Sequence, residues 1–100
     1  MRQEIVGRHE NDANGNPDGG QTEGKGIGIR WQKGPLGRGA ERKEPNGAFV
    51  EGVIAAALDR LNFYQASKFK CRENALAITK LEEALHWLDH RTAEQQERFA

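Results

Sequence analysis

Glycine is spread so unevenly along this chain that its two halves must fold by different rules. Eleven of the 12 glycines and all three prolines lie within residues 1–47, while residues 48–100 keep only Gly52. Glycine relaxes the backbone and proline removes a donor, so together they break helices and mark turns. The front half therefore turns repeatedly, and the back half is free to run in long helices. The change falls near Asn46-Gly47, and nothing in the chain repeats.

A chain of 100 residues is one small domain at most, by the prior of roughly 100–200 residues per domain. Fifteen basic and 15 acidic residues cancel, so the overall basicity of a nucleic-acid binder is missing and DNA is not an expected partner. No run approaches the roughly 18 apolar residues of a membrane span. Met1-Arg2-Gln3-Glu4 lacks the apolar stretch of a secretory leader. The one cysteine, Cys71, has no partner for an internal disulfide, which fits a reducing compartment. A zinc ribbon or an iron–sulfur cluster lacks ligands.

Residues 1–24 read as a flexible segment with a short candidate strand at residues 4–6. Residues 9–24, HENDANGNPDGGQTEG, hold no large apolar side chain. Such a stretch has little to set against about 1–2 kcal/mol per residue of ordering entropy, so a mobile segment is expected. Residues 26–32, GIGIRWQ, read as a strand, with Ile27, Ile29 and Trp31 on one face by the two-residue period. With the glycine-rich loop that follows the turn at Gly34-Pro35, it makes up residues 25–45.

Residues 46–100 read as a helical hairpin. Asn46 is a good N-cap for a first helix running to about Gln65. Its apolar residues Val50, Val53, Ile54, Ala57, Leu58, Leu61 and Tyr64 step by three and four. Residues 66–70, ASKFK, interrupt the pattern. A second helix follows from about Arg72 to Glu97, with a stripe of Leu76 or Ala77, Leu81, Ala84, Leu85 and Leu88. So short a connection makes the helices antiparallel neighbours. The fold class is thus α+β. Two helices leave Phe63, Phe69 and Trp87 little to lie against, and a chain this small without disulfide or metal is expected to self-associate.

Several chemistries find no support. His86 and His90 stand four apart on the second helix, but Trp87 occupies the place where HExxH needs Glu, so no metal site is expected. Gly24-Lys25-Gly26-Ile27-Gly28 is not followed by a helix, and Gly34-Pro35-Leu36-Gly37-Arg38-Gly39 lacks the Lys-Ser/Thr ending of a phosphate loop. Ser67 is the only serine, and Glu82 and Glu83 diverge as helix neighbours. Cys71 lies between Lys70 and Arg72, which favours a thiolate, although a cysteine starting a helix is more often structural.

Local charge is more informative. Residues 25–45 carry six basic and two acidic residues, and residues 60–72 carry four basic residues and no acidic one. Basic side chains stand beside aromatic ones: Arg30 with Trp31, Lys68 and Lys70 around Phe69, Arg91 near Trp87. Arg meets phosphate oxygens in a bidentate fork, and rings or guanidinium planes stack on a base. A solvated basic face is the plainer reading of the same residues.

Three stretches resemble a known family: residues 27–36, IGIRWQKGPL; 45–65, PNGAFVEGVIAAALDRLNFYQ; and 71–92, CRENALAITKLEEALHWLDHRT. They look like the phage nucleotide-signal sponges with a helical hairpin domain. The branches of that family are the Thoeris anti-defence sponges (Tad type) and the anti-CBASS sponges (Acb type). The likeness spans about residues 26–92, and GIRWQ with GPLGRG is closer to the Thoeris branch.

The resemblance implies a non-catalytic protein without cofactor or metal, acting in the host bacterial cytoplasm. Such proteins bind the cyclic ADP-ribose isomers made by host TIR-domain enzymes, and some also take cyclic di- or trinucleotides at separate sites. It implies a small β-region and a helix hairpin, assembled as a homo-oligomer, a dimer or a hexamer. By match to the motif, Tyr64 or its neighbour Phe63 would stack on adenine. Asn74 would make a polar contact, and Arg38 and Arg91 would meet phosphate. Gln95 departs from the pattern, standing where a second Arg is expected, with Arg98 one turn later. Three alternatives remain: a sponge for cyclic di- or trinucleotides that blocks CBASS alone, a phosphodiesterase or lyase cleaving the same ligand, and a structural helical oligomerisation module.

Overall fold

A computed structural model describes residues 4–37 and 39–99, with the side chains of the last helix described as far as Thr92. The chain forms two compact units, Met1–Phe49 and Val50–Ala100. The first is a three-stranded antiparallel meander and the second a helical hairpin, so the class is α+β with the strands first.

The strands are β1 (Ile5–Asn11), β2 (Pro17–Gly24) and β3 (Ile27–Arg30), in that spatial order. The segment expected to be mobile, residues 9–24, is instead the end of β1, a turn and all of β2. Backbone pairing rather than side-chain burial builds this hairpin. Every residue of β1 is exposed, and its ladder with β2 runs from Ile5↔Gly24 to His9↔Gly20, with an irregularity before Asn11↔Pro17. The turn locks itself: one Asp12 carboxylate oxygen accepts the N–H groups of Asn14 at 2.9 Å and Asn16 at 3.0 Å. Those bonds favour the charged carboxylate, so the Asp12 pKa lies below its ordinary 3.8.

β3 and the residue that follows it bring half-buried large side chains to the sheet. Ile29 and Trp31 are half-buried, and Trp31 Nε1 donates across to Thr22 Oγ1 at 2.7 Å. Next to Thr22 on that face of β2 is Gly20. With φ 131°, and with a Cβ position 2.4 Å from the Arg8 carbonyl oxygen, it admits no other residue unstrained.

Asn46 does not cap a helix. The segment 46–48 returns to lie parallel to β3, with Ala48 N–H donating to the Arg30 carbonyl at 2.7 Å and Gln32 N–H to the Ala48 carbonyl at 3.0 Å. The Asn46 amide is consumed there. Its Oδ1 accepts Lys33 N–H at 2.8 Å, and its Nδ2 donates to the Lys33 carbonyl at 3.0 Å. Gln32 Oε1 in turn accepts Asn46 N–H at 2.9 Å. Helix α1 therefore begins at Val50 and ends at Gln65.

Helix α2 runs Arg72–Phe99, antiparallel to α1: Arg91 meets Glu51, while Gln65 meets Cys71 at the other end. The shared seam is thin. Leu58 is the one buried hydrophobic among the described residues; Val53, Ile54, Leu61, Ala77, Leu81, Ala84, Leu85 and Leu88 are half-buried. Of the two candidates for the start of the second stripe, Ala77 faces the seam and Leu76 is 49% exposed. The seam also leaves out Val50, at 49% exposed, and Ala57. No helix among the described residues is long and apolar enough to cross a membrane.

Candidate functional site

The turn between the helices is held by polar side chains at its base. Gln65 clasps Cys71 through both ends of its amide, Oε1 accepting N–H at 2.9 Å and Nε2 donating to the carbonyl at 3.0 Å. Ser67 Oγ donates to the Tyr64 carbonyl at 2.6 Å and accepts Phe69 N–H at 3.1 Å, which closes the end of α1. The exposed Cys71 is the N-cap of α2, its sulfur accepting Asn74 N–H at 3.4 Å.

That base fixes an aromatic and cationic surface. Phe63 is 60% exposed and Phe69 68% exposed, and Tyr64, beside Phe63, is half-buried. The Phe63 and Tyr64 rings lie 6.2 Å apart and tilted by 59°. Arg60, one turn earlier on α1, lies over both: its Cζ is 4.9 Å from the Phe63 centroid and 5.0 Å from that of Tyr64. Its Nε also donates to the Tyr64 hydroxyl at 3.2 Å. Lys68 lies 5.5 Å from the centre of the Phe69 ring. Asn74 is half-buried in the first turn of α2, its Nδ2 making a long bond of 3.5 Å to the Phe69 carbonyl. Among the described residues its Oδ1 remains free to accept from a ligand.

Arg91 is elsewhere. It pairs with Glu51 in the first turn of α1 at 3.6 Å, its side chain 52% exposed. Glu51 and Tyr64 are 13 positions apart on one helix, which at 1.5 Å per residue is about 20 Å of rise. The structure therefore pairs Phe63 with Tyr64 in the last turn of α1, sets Asn74 against Phe69 in the first turn of α2, and puts Arg91 at the opposite end of the same hairpin. Arg38 lies outside the described residues, as do the side chains of Gln95 and Arg98. An exposed pair such as Arg91–Glu51 is worth only about 0–1 kcal/mol, so the guanidinium is cheaply released to a stronger acceptor.

Two features were not singled out as site residues by sequence reasoning. Arg60 is one; its spacing of three and four before Phe63 and Tyr64 was the available signal. The other is a groove of about 420 Å³ on the sheet unit, lined by Glu10, Gly20, Gln21, Arg30, Trp31 and Lys33 among others. The adjacent Arg30 and Trp31 pointed to it, but none of Phe63, Tyr64, Asn74 and Arg91 lines it. His86 and His90 are exposed and stand edge-on to Trp87, 68% exposed, with ring centres 6.3 and 6.0 Å away. No group of three metal-ligating side chains occurs among the described residues.

What the hairpin presents is thus a ring-and-amide surface at one end and a weakly held guanidinium at the other. Comparison with known proteins agrees with the likeness of the motifs. The model of the Acb2/Tad1 hairpin domain matches residues 23–93. A curated relative, "Thoeris anti-defense 1" of Bacillus phage SBSphiJ7, is 48% identical over 75 residues, or 75% of this chain and 50% of the relative. The chain thus spans about half the length of that relative. With the match running across the β3 strand, the returning loop and both helices, the chain belongs to the Acb2/Tad1 hairpin-domain family.

Proposed function

We propose that the chain is a phage anti-defence sponge, binding a cyclic ADP-ribose-type signal and sequestering it uncleaved. The observation that carries this reading is the cation-rich aromatic surface at the hairpin turn. There Phe63 and Phe69 are exposed, Tyr64 is half-exposed, and Arg60 and Lys68 lie against rings. Rings offer a face to a purine, and cations offer charge-assisted bonds to its phosphates. In this reading Asn74, beside the Phe69 carbonyl, adds a polar contact, and Arg91 leaves Glu51 to meet phosphate. The name of the relative, Thoeris anti-defense 1, supports the biological role.

Along α1, about 20 Å (13 helical rises) separate Tyr64 from Glu51, the partner of Arg91, and this adds an element to the reading. We take Tyr64 and Arg91 to serve one ligand from different copies. Exposed Val50, Leu76 and Trp87 supply apolar surface for another copy to cover. The site is therefore shared: Phe63, Tyr64 and Asn74 of one copy face Arg91 of another. Sequestration asks only for affinity. A cyclic ADP-ribose of roughly 35 heavy atoms, at about 0.3 kcal/mol per atom, reaches about −10 kcal/mol, or tens of nanomolar.

Calorimetry with cyclic ADP-ribose isomers and cyclic di- and trinucleotides tests the reading, and no heat from any of them at 10 µM protein (a concentration well above the expected dissociation constant, about 50 nM) ends it. Heating the complex and assaying the released ligand separates the sponge, which returns it intact, from a phosphodiesterase or lyase. The same exposed apolar residues favour a structural oligomerisation module as the second reading. A module gains no stability from nucleotide, whereas a binder at 100 times its Kd gains about 2.7 kcal/mol.

A further inference from the structure

Arg60 makes an unusual set of contacts for a surface arginine. Its guanidinium carbon is within 5.0 Å of two ring centres, Phe63 at 4.9 Å and Tyr64 at 5.0 Å, and its Nε bonds the Tyr64 hydroxyl at 3.2 Å. Among the described residues no carboxylate lies within 4.0 Å of it. The cation is thus held by π-faces and a phenol alone, and the rings it covers are those a base would stack on. Both roles cannot be filled at once on the same ring face.

Resting on the sponge reading above, we propose that Arg60 is a specificity-determining residue of the nucleotide site. A flat base displaces its guanidinium from the Tyr64 and Phe63 rings, and the displaced cation then meets the ligand's phosphate. A neutral nucleoside must break the cation–π contact and receives nothing back. A phosphate-bearing ligand breaks the same contact and gains a charge-assisted hydrogen bond in exchange. Arg60 thereby penalises the common uncharged nucleosides and rewards the charged signal, which is selectivity by a repulsive element as well as an attractive one.

The test compares the full chain with Arg60→Ala and Arg60→Lys. Alanine is the best helix former, so the first change leaves α1 intact, which circular dichroism checks. Two probes are titrated: adenosine, which carries no phosphate, and cyclic ADP-ribose. The ring protons of Tyr64, the chain's one tyrosine, report both by NMR. A cation–π contact of about 0.5–1 kcal/mol corresponds to adenosine binding two to five times more tightly to Arg60→Ala. Cyclic ADP-ribose binds it about tenfold or more weakly, and Arg60→Lys restores most of that loss. Opposite movement of the two probes supports the proposal. Movement in the same direction, or no movement, overturns it while leaving the sponge reading intact. A wild-type chain that binds neither probe overturns both.

Discussion

If the ligand site is shared between copies, two crippled proteins should repair one another. Arg91→Ala removes the guanidinium, and loss of a charge-assisted hydrogen bond costs about 1.5–3 kcal/mol, at least tenfold in affinity. Tyr64→Ala removes a stacking ring, worth about 1–3 kcal/mol per base. In one copy Arg91 meets α1 at Glu51, about 20 Å of helix away from Tyr64. Suppose each site takes Tyr64 from one copy and Arg91 from a neighbour. After random exchange of an equimolar mixture, the ring is intact with probability one half and the guanidinium with probability one half. About a quarter of all sites are then wild type, whatever the number of copies in a closed assembly. The assay co-expresses the variants under two affinity tags, isolates the mixed assembly and measures bound cyclic ADP-ribose at a concentration that fills wild-type sites only. Each variant alone binds less than the wild type by the amount its weaker affinity predicts. If mixed assemblies recovered by both tags bind no more than the single variants, the shared site is refuted, and Tyr64 and Arg91 do not serve one ligand.

Other expectations concern the framework. Leu58→Ala removes the one buried hydrophobic of the described hairpin and should cost about 2–3 kcal/mol, read by urea unfolding; a loss under 0.5 kcal/mol would mean the α1–α2 seam is held by something else. Asn46→Ala deletes both side-chain bonds to Lys33 and should destabilise the sheet unit by about 1–2 kcal/mol, with faster hydrogen exchange at the Lys33 amide. Unchanged exchange there would contradict the clasp. Asp12 has its pKa lowered, chiefly by the backbone bond from Asn16, so its contribution is present above its ordinary 3.8 and is lost as the pH falls through the lower folded value. The Asn14 and Asn16 amide shifts should move together in that acid range and stay flat between pH 5 and 8.

The helices were legible because helical periodicity is local. Val53, Ile54, Leu58 and Leu61 recur at three and four, and the seam holds those positions. The antiparallel turn over residues 66–70 followed from its length alone. Where the sequence left Leu76 or Ala77 open, only packing chose Ala77. The aromatic and basic residues of the turn were visible for the same local reason, since a spacing of three or four puts Arg60 beside Phe63 and Tyr64.

The front half hid its order because its order is not local. No apolar pattern marks HENDANGNPDGGQTEG, yet backbone ladders on β1 and β3 pair it from both sides. Asn46 had the identity of a helix cap, but Lys33, 13 residues earlier, claimed its side-chain amide, Gln32, 14 residues earlier, claimed its backbone N–H, and the helix starts at Val50. The separation of Tyr64 from Arg91 likewise belongs to the tertiary structure, because only the folded-back hairpin sets Arg91 against Glu51. What this sequence determined by itself was what neighbours three or four apart can settle: helices, stripes and the chemistry of the turn. What the tertiary structure decided was every pairing whose partners are distant in the chain, since a hydrogen bond or an ion pair leaves no periodic trace in the residues between its ends.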